Sequence, residues 1–402
     1  MLSDKELEKL IQPIIDRQEA LNIYVIRKIA QRVKEIGELS PSDAYKLRAM
    51  FKSGADVKAI NQELARVTGM NESAIKRFIR VVAESLYADM KPFYDYRHKS
   101  YIPLSKNAHL MRIVNAIARQ TANTYVNLSR STAFMIRDLK NPKILKPTSL
   151  SDTYQTVMDE AIQAVQGGVI DYPTAMKRTM TQLADSGIRS VEYHPESGRK
   201  YTQRLDTAVR RNLMDSVRQI NQEISDATGK EYGADGKEIS VHAMSAPDHE
   251  PFQGHQFTNA EFEKLQSEQP FTDLDGETFP AVKRAIGVWN CHHLAFNIIC
   301  GVVKPNFTKE QLEKYKEDNQ RGYTDKNGKH YTKYECSQEM RRMETEMRKH
   351  KERYLALKES GDEEGAAAER AKVRQISRDY DLFCKESGLT PQKARARVDG
   401  YR

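Results

Sequence analysis

Histidine and cysteine side chains concentrate in two short stretches of this chain. These are SAPDHEPFQGHQF at 245–257 and GVWNCHH at 287–293, with His242 just upstream. Together they hold five of the ten histidines, as well as Cys291. Imidazole and thiolate are common zinc ligands in proteins, and a thiol beside a base can act as a nucleophile. The chemistry that this chain could perform is therefore concentrated in one region of the sequence.

The residue types in this region allow three interpretations. In the first, His249, Cys291 and His293 hold a structural zinc ion, although no C-x-x-C or H-E-x-x-H spacing is present. In the second, Cys291 is a nucleophile and His292 its base, with Asp248 and His249 nearby, in a hydrolase built from residues 236–330. Neighbouring residues on a strand point to opposite faces, which argues against that pair.

The third interpretation, which we favour from the sequence, is a hydrogen-bonded polar core without turnover. Asp248 and Gln253 would lock a loop through side-chain-to-backbone bonds, and Gly254 would give it backbone freedom. Phe252 and Phe257 would fill the hollow beneath it. The structural motif predicted in this way comprises Pro247, Asp248, His249, Gln253, Gly254, Phe257, Asn290, Cys291 and His293.

Composition limits the kind of molecule that carries this region. Of 402 residues, 39% are hydrophobic and 30% are charged, and the net charge is +8. This low apolar content favours several small helical units that bury surface against partners, and the basic surplus suits nucleic acid or acidic proteins. The sequence shows no run of 18 apolar residues and no signal peptide, so we expect no contact with a membrane. Four cysteines in so long a chain predict no disulfide framework.

The first 140 residues predict successive helices. The first begins near Ser3 and kinks or breaks at Pro13, another begins at Ser40–Pro41, and a long one covers about 107–137. The stretch at 55–85 also resembles a helix-turn-helix that turns at Gly69, although two ordinary helices would look the same. In a DNA-binding regulator, the groove-facing side chains would be Asn71, Ser73, Lys76 and Arg77.

Beyond residue 140 the pattern changes several times. Two prolines predict a linker at 140–152. The elements predicted after it are helices at 151–167 and 172–186 and a β-hairpin at 188–201. A helix at 204–227, terminated by Gly229, and a strand at 239–243 follow. Two charged helices at 331–360 and 364–387 then form an antiparallel hairpin, with breaks at Gly361 and Gly388.

We therefore predict a mainly α fold with a multi-helix N-terminal part, a small α+β module and a C-terminal antiparallel helical hairpin. The predicted domains are 1–140, 150–229, 230–330 and 331–402. The closely mixed charges of the C-terminal hairpin are typical of a solvated helix face, which argues against a DNA-binding stripe there.

PDHEPFQGHQF followed by GVWNCHH resembles the signature of the phage minor capsid protein 2 family and, more distantly, of Mu-like head-morphogenesis proteins. The matching positions all belong to the motif above: His249, Gly254, Phe257, Asn290, Cys291 and His293. His292 stands where the family usually has arginine. The resemblance covers most of the chain and is strongest at 200–402. It includes GKEYGADGKEISVHAMSAPDHEP and SGLTPQKARARVDGYR.

The resemblance implies a structural minor head protein of a tailed phage or prophage, with no established catalytic residues and no cofactor. Expected partners are the portal protein, other head proteins and packaged double-stranded DNA. The expected location is the virion, with assembly in the bacterial cytoplasm. We predict that residues 1–140 dock on the portal, because their apolar stripes exceed what a small unit can bury alone.

Overall fold

Helices account for most of this chain, as predicted, and they are accompanied by small antiparallel sheets. The computed structural model describes residues 4–38, 54–137, 144–167, 172–194, 199–267, 269–273, 276–282, 285–286, 291 and 293–401. The predicted helix start at Ser40–Pro41 lies outside these ranges. The N-terminal helices are α1 (Asp4–Gly37), α2 (Ala55–Ala88), α3 (Lys91–Tyr96) and α4 (Ala108–Arg130).

Helix α1 continues through Pro13, so the prediction of a break there is wrong. Pro13 lies on the exposed face, where water can bond the carbonyl group that lacks its helical partner. The opposite face is apolar and includes Ile11, Ile14 and Ile15, which are almost fully buried. Helices packed around α1 cover this stripe, so it does not provide the surplus docking surface that the sequence predicted.

Helix α2 is a single helix of 34 residues, so both interpretations of 55–85, a helix-turn-helix and two ordinary helices joined at Gly69, are wrong. Val67, Asn71, Ile75 and Phe78 follow one another at helical spacing on its buried face. Packing of that face against α1, α4 and a later helix stabilises the helix enough to carry it through Gly69. Asn71, assigned to a DNA groove in that interpretation, is buried, donates to the Ile14 carbonyl and accepts from Arg17.

A four-stranded antiparallel sheet follows, in the order β2-β1-β3-β4. Its strands are β1 (Thr132–Arg137), β2 (Leu145–Ser149), β3 (Arg189–His194) and β4 (Arg199–Arg204), and helices α5 (Leu150–Gly167) and α6 (Tyr172–Ser186) lie between β2 and β3 in sequence. The two predicted helices and the β-hairpin of β3 and β4 are therefore confirmed.

Two predictions around β1 and β2 are wrong. The long helix ends at Arg130, seven residues early, and the chain continues as β1. The predicted linker is in part strand β2, which pairs with β1 from Ala133↔Ser149 to Arg137↔Leu145. Strand β2 is an edge strand, the position in a sheet where its Pro147 is tolerated because no ladder donor is needed there.

Helix α7 (Leu205–Tyr232) leads into the α+β module. The sequence predicts its end at Gly229, but the helix continues to Tyr232 and is capped by Gly233, whose φ of 73° is left-handed. A Cβ at Gly229 would meet the Asn297 side chain, so this glycine allows close packing inside the helix. The module contains β5 (Gly236–Ile239), β6 (Gln256–Thr258), α8 (Asn259–Gln266), β7 (Phe271–Thr272), β8 (Thr278–Phe279) and β9 (Ala295–Ile298).

Gly233 follows helix α7 at its C-terminal end. A left-handed residue of this kind commonly ends a helix, and glycine adopts it without strain. Beyond it, the module's main sheet has the order β6-β5-β9 and is antiparallel. The strand predicted at 239–243 lies earlier, at 236–239, because the chain leaves the sheet after Ile239.

The C-terminal part contains α9 (Lys309–Arg321), β10 (Tyr323–Thr324), β11 (His330–Tyr331), α10 (Lys333–Glu359) and α11 (Glu363–Ser387). Helices α10 and α11 form the predicted antiparallel hairpin, with Gly361 and Gly388 at positive φ where breaks were expected. Helix α10 also packs on α1 and α6. The largest apolar cluster accordingly runs from Leu7 to Val398, while the module has its own cluster of ten residues. The four-domain division stays a prediction.

A buried network of charges joins the C-terminal hairpin to the N-terminal helices. Arg204 forms a two-pronged ion pair with Glu352, at 2.7 and 3.0 Å. Arg348 contacts Glu19 at 2.8 Å and Asp206 at 2.7 Å. The prediction of a solvated charged face is therefore wrong for this side of α10, where Arg348 and Glu352 serve packing between elements.

None of the described helices is long and apolar enough to cross a membrane.

Candidate functional site

Strand pairing brings the two histidine-rich stretches together. In the module, β5 pairs with β9 from Gly236↔Ile298 to Ile239↔Ala295. The chain that leaves β5 therefore lies beside the chain that enters β9. Two bonds continue the pairing past the strand ends: Ser240 N–H donates to the Leu294 carbonyl at 2.8 Å, and Leu294 N–H donates to Ser240 Oγ at 2.9 Å.

The first stretch folds as a tight loop between β5 and β6. His249 N–H donates to the Ala246 carbonyl at 2.9 Å, and Phe252 N–H donates to the His249 carbonyl at 3.1 Å. Gly254 returns the chain to β5 with φ of 74°, and a Cβ there would meet Leu312 and Val241 side chains. Glycine is therefore favoured at this position, because a residue with a Cβ would be strained by the left-handed φ. Pro247 lies on the exposed outer side of the loop.

The three predicted metal ligands converge. Cys291 Sγ lies 3.2 Å from His249 Nδ1 and 3.4 Å from His293 Nδ1. The ligand atoms of the three residues all lie within 4.8 Å of one another. His249 is 1% exposed, and Cys291 and His293 are each 4% exposed. Two imidazoles and one thiol thus share a small space that is closed to bulk solvent.

A second layer of polar groups faces the far side of each imidazole ring. His293 Nε2 lies 3.4 Å from Gln253 Oε1 and 3.4 Å from Ser245 Oγ. His249 Nε2 lies 3.7 Å from a carboxylate oxygen of Asp248. Acceptors placed in this way favour a proton on Nε2 and leave Nδ1 directed at the sulfur. Gln253 and Asp248, which the sequence singled out, therefore lie on the far side of the two rings from the sulfur.

The remaining residues of the two stretches have different positions. His242 packs edge-on against His293, with ring centroids 4.8 Å apart, and its Nε2 lies 3.2 Å from Ser240 Oγ. His255 stands apart in the aromatic core beside Phe279, where burial lowers its pKa. Asn290 and His292 lie outside the described residues, as does Trp289.

The aromatic side chains beneath the loop form the core of the module. Phe257 contacts Phe271 and Phe279 edge-on at centroid distances of 5.6 and 5.1 Å. Phe252 stacks on Phe279 at 5.7 Å. Phe252 and Phe257 are almost fully buried, as expected of the side chains that fill the hollow below the loop. This packing fixes the loop that carries His249.

Helix α7 supplies polar contacts that the sequence analysis did not identify. Arg218 donates to the Cys291 carbonyl, Asn221 donates to the Ala295 carbonyl at 3.2 Å, and Asn297 of β9 donates to the Ser225 carbonyl. Arg218, Asn221 and Ser225 recur at helical spacing on a buried face. The helical spacing of these polar residues was visible in the sequence. The sequence did not show that another part of the chain packs on this face.

The arrangement is compatible with two kinds of chemistry. Cys291, His249 and Asp248 are placed like a thiol, a base and an orienting acid, although the predicted base was His292. The same thiol also faces His293, and all three ligand side chains are almost fully enclosed. A nucleophile must reach its substrate, whereas enclosed ligands around one point suit a bound metal ion.

Comparison with known proteins identifies the family. The family model described as phage minor capsid protein 2 matches residues 2–384. Neither the curated proteins nor the solved structures gave a match to this chain. Because the family model covers nearly the whole chain, including both histidine-rich stretches, the protein belongs to the phage minor capsid protein 2 family.

Proposed function

We propose that this phage structural protein is a minor head component that associates with the portal, with packaged DNA close by. Family membership supports the role in the capsid, and it is the observation on which the proposal mainly rests. The site adds support because its enclosed side chains brace a fold. We expect assembly in the host cytoplasm and a final location in the virion.

The surface that we propose for portal docking is the segment 96–102, which begins at Tyr96, the last residue of α3. Tyr96 is 56% exposed and Ile102 is 47% exposed, although both are large and apolar. The backbone beneath them is held in place: Tyr87 Oη donates to the Ile102 carbonyl at 2.9 Å, and Tyr94 packs against Tyr232 of α7. Exposed apolar side chains on a rigid support are typical of protein interfaces.

The docking proposal is tested by coexpression with the portal protein of the same phage. We expect the wild-type chain to copurify with the portal, and the double variant Tyr96→Ser with Ile102→Ser to lose most of that binding. Leu382→Ser is the matched control, because Leu382 of α11 is 54% exposed but lies outside the segment. Equal copurification of the double variant, with an unchanged circular dichroism spectrum, would contradict docking through 96–102.

Proximity to DNA is supported by the net charge of +8. Contacts of lysine and arginine with phosphates do not depend on the base sequence. They weaken as the salt concentration rises. We therefore expect weak duplex binding that is insensitive to sequence and falls steeply between low and physiological salt in a filter-binding assay. Binding that depends on one particular sequence would instead support a regulator.

The absence of turnover is also part of the proposal. We expect purified protein to leave nucleic acids, peptides and nucleotides intact. Hydrolysis that is lost in Cys291→Ser or His249→Ala, while the variant remains folded, would show that the thiol and imidazole work as an enzyme.

A further inference from the structure

We propose that His249 Nδ1, Cys291 Sγ and His293 Nδ1 bind one zinc ion that braces the α+β module. This inference goes beyond the head-protein function and does not depend on it. The three side chains come from two segments that are far apart in sequence. Cys291 follows His249 by 42 positions. A shared ion would therefore tie the β5–β6 loop to the chain that enters β9.

The distances fit a common ion. In tetrahedral zinc sites, the Zn–S distance is about 2.3 Å and the Zn–N distance about 2.0 Å, so sulfur and nitrogen ligands stand about 3.5 Å apart. Cys291 Sγ is 3.2 Å from one Nδ1 and 3.4 Å from the other. Both S–N distances are therefore close to the spacing expected around one shared zinc ion.

The groups behind the rings are those expected around zinc-bound histidine. A histidine ligand usually donates its other N–H to a carboxylate or carbonyl oxygen, which fixes the tautomer. Here His293 Nε2 faces Gln253 Oε1, and His249 Nε2 faces Asp248. Both rings therefore present Nδ1 to the same sulfur. A thiol has one proton to donate, whereas a metal ion can bond to both nitrogens and to the sulfur together.

Ligand chemistry and the small core point to zinc in a structural role. One thiolate with two imidazoles suits zinc better than the hard cations magnesium and calcium, which prefer oxygen. Among the residues of the module that the structure describes, its own apolar cluster comprises ten buried side chains. Small, loop-rich units of this size gain much of their stability from a metal that binds the folded state.

The test measures metal in the purified full-length chain. We expect about one zinc per chain by plasma mass spectrometry, and loss of most of it in Cys291→Ser and in His249→Ala. His255→Ala is the matched control, because His255 is a partly buried histidine of the same module that lies in the aromatic core. It should keep its zinc. Retention of zinc in both ligand variants would overturn the proposal.

A second measurement keeps the test decisive if the ligand variants fail to fold. Wild-type protein is stripped of metal with a chelator and then loaded with cobalt(II). We expect a near-ultraviolet thiolate-to-cobalt charge-transfer band and a higher unfolding temperature than that of the stripped protein. Folded wild-type protein that contains no zinc and shows no such band would refute the site. Neither result depends on portal binding.

Discussion

Glu19 of α1 should make the stability of this protein depend on pH. The buried network contains two arginines, Arg204 and Arg348, but three acids, Glu19, Asp206 and Glu352. Burial raises the pKa of Glu19 from 4.5 to about 7, although the nearby arginines oppose that rise. For Asp206, burial acts in the same direction, but Arg348 and Arg204 outweigh it and hold its pKa well below the usual range. A protonated Glu19 leaves the five groups electrically balanced.

The sign and size follow from the two pKa values. Below pH 4.5 the carboxyl binds a proton in both the folded and the unfolded state, and this group then costs the fold nothing. As pH rises toward about 7 the unfolded state loses the proton first, so the free energy of unfolding decreases. The full loss is about 3 kcal/mol, of which about 2.5 kcal/mol falls between about pH 5 and about pH 8.

Urea unfolding of the wild type and Glu19→Gln at these two pH values tests this reasoning. Glutamine keeps an oxygen that can accept from Arg348 but cannot titrate. We expect the variant to gain about 2.5 kcal/mol relative to the wild type as pH rises from about 5 to about 8. Other titrating groups are common to both proteins and cancel in the comparison. Parallel pH profiles would refute the raised pKa of Glu19.

Four other substitutions test packing and backbone geometry by urea unfolding. Glu352→Ala should cost about 3 to 5 kcal/mol, because it leaves Arg204 buried without its two-pronged partner; a loss below about 1 kcal/mol would mean the pair is solvated. Gly322→Ala should cost more than about 2 kcal/mol, since its Cβ would clash with a backbone carbonyl of β11, whereas Gly328→Ala, with open space around it, should cost less. Thr332→Ala removes the capping box of α10 and should cost about 1 kcal/mol.

Local signals predicted the elements whose ends are determined by nearby residues. The C-terminal hairpin follows from the helical period of α10 and α11 and from glycines at 361 and 388, both of which adopt positive φ. The hairpin of β3 and β4 follows from alternation around a turn. In these cases the same residues that form the pattern also determine the structure, so no distant contact was needed.

Distant packing decided the elements that the sequence did not predict. Gly69 would weaken an isolated helix, yet α2 is continuous because Asn71 and Ile75 are covered by α1 and other helices. Leu128 and Met135 both fit a helical period. Met135 nevertheless lies in a strand, because β1 pairs with β2. The metal-ligand set was identifiable from residue types, but its convergence depends on the pairing of β5 with β9.

The contact between α1 and α10 links synthesis to folding. Glu19 and Arg348 are 329 residues apart in the chain, and at about 5 to 20 residues per second a ribosome needs roughly 16 to 66 s to cover that distance. Throughout this interval the nascent α1 lacks one of the helices that shield its isoleucines. The isoleucines of α1 can therefore be fully buried only after α10 has been translated. Until then, incomplete chains expose an apolar surface that can associate with other chains.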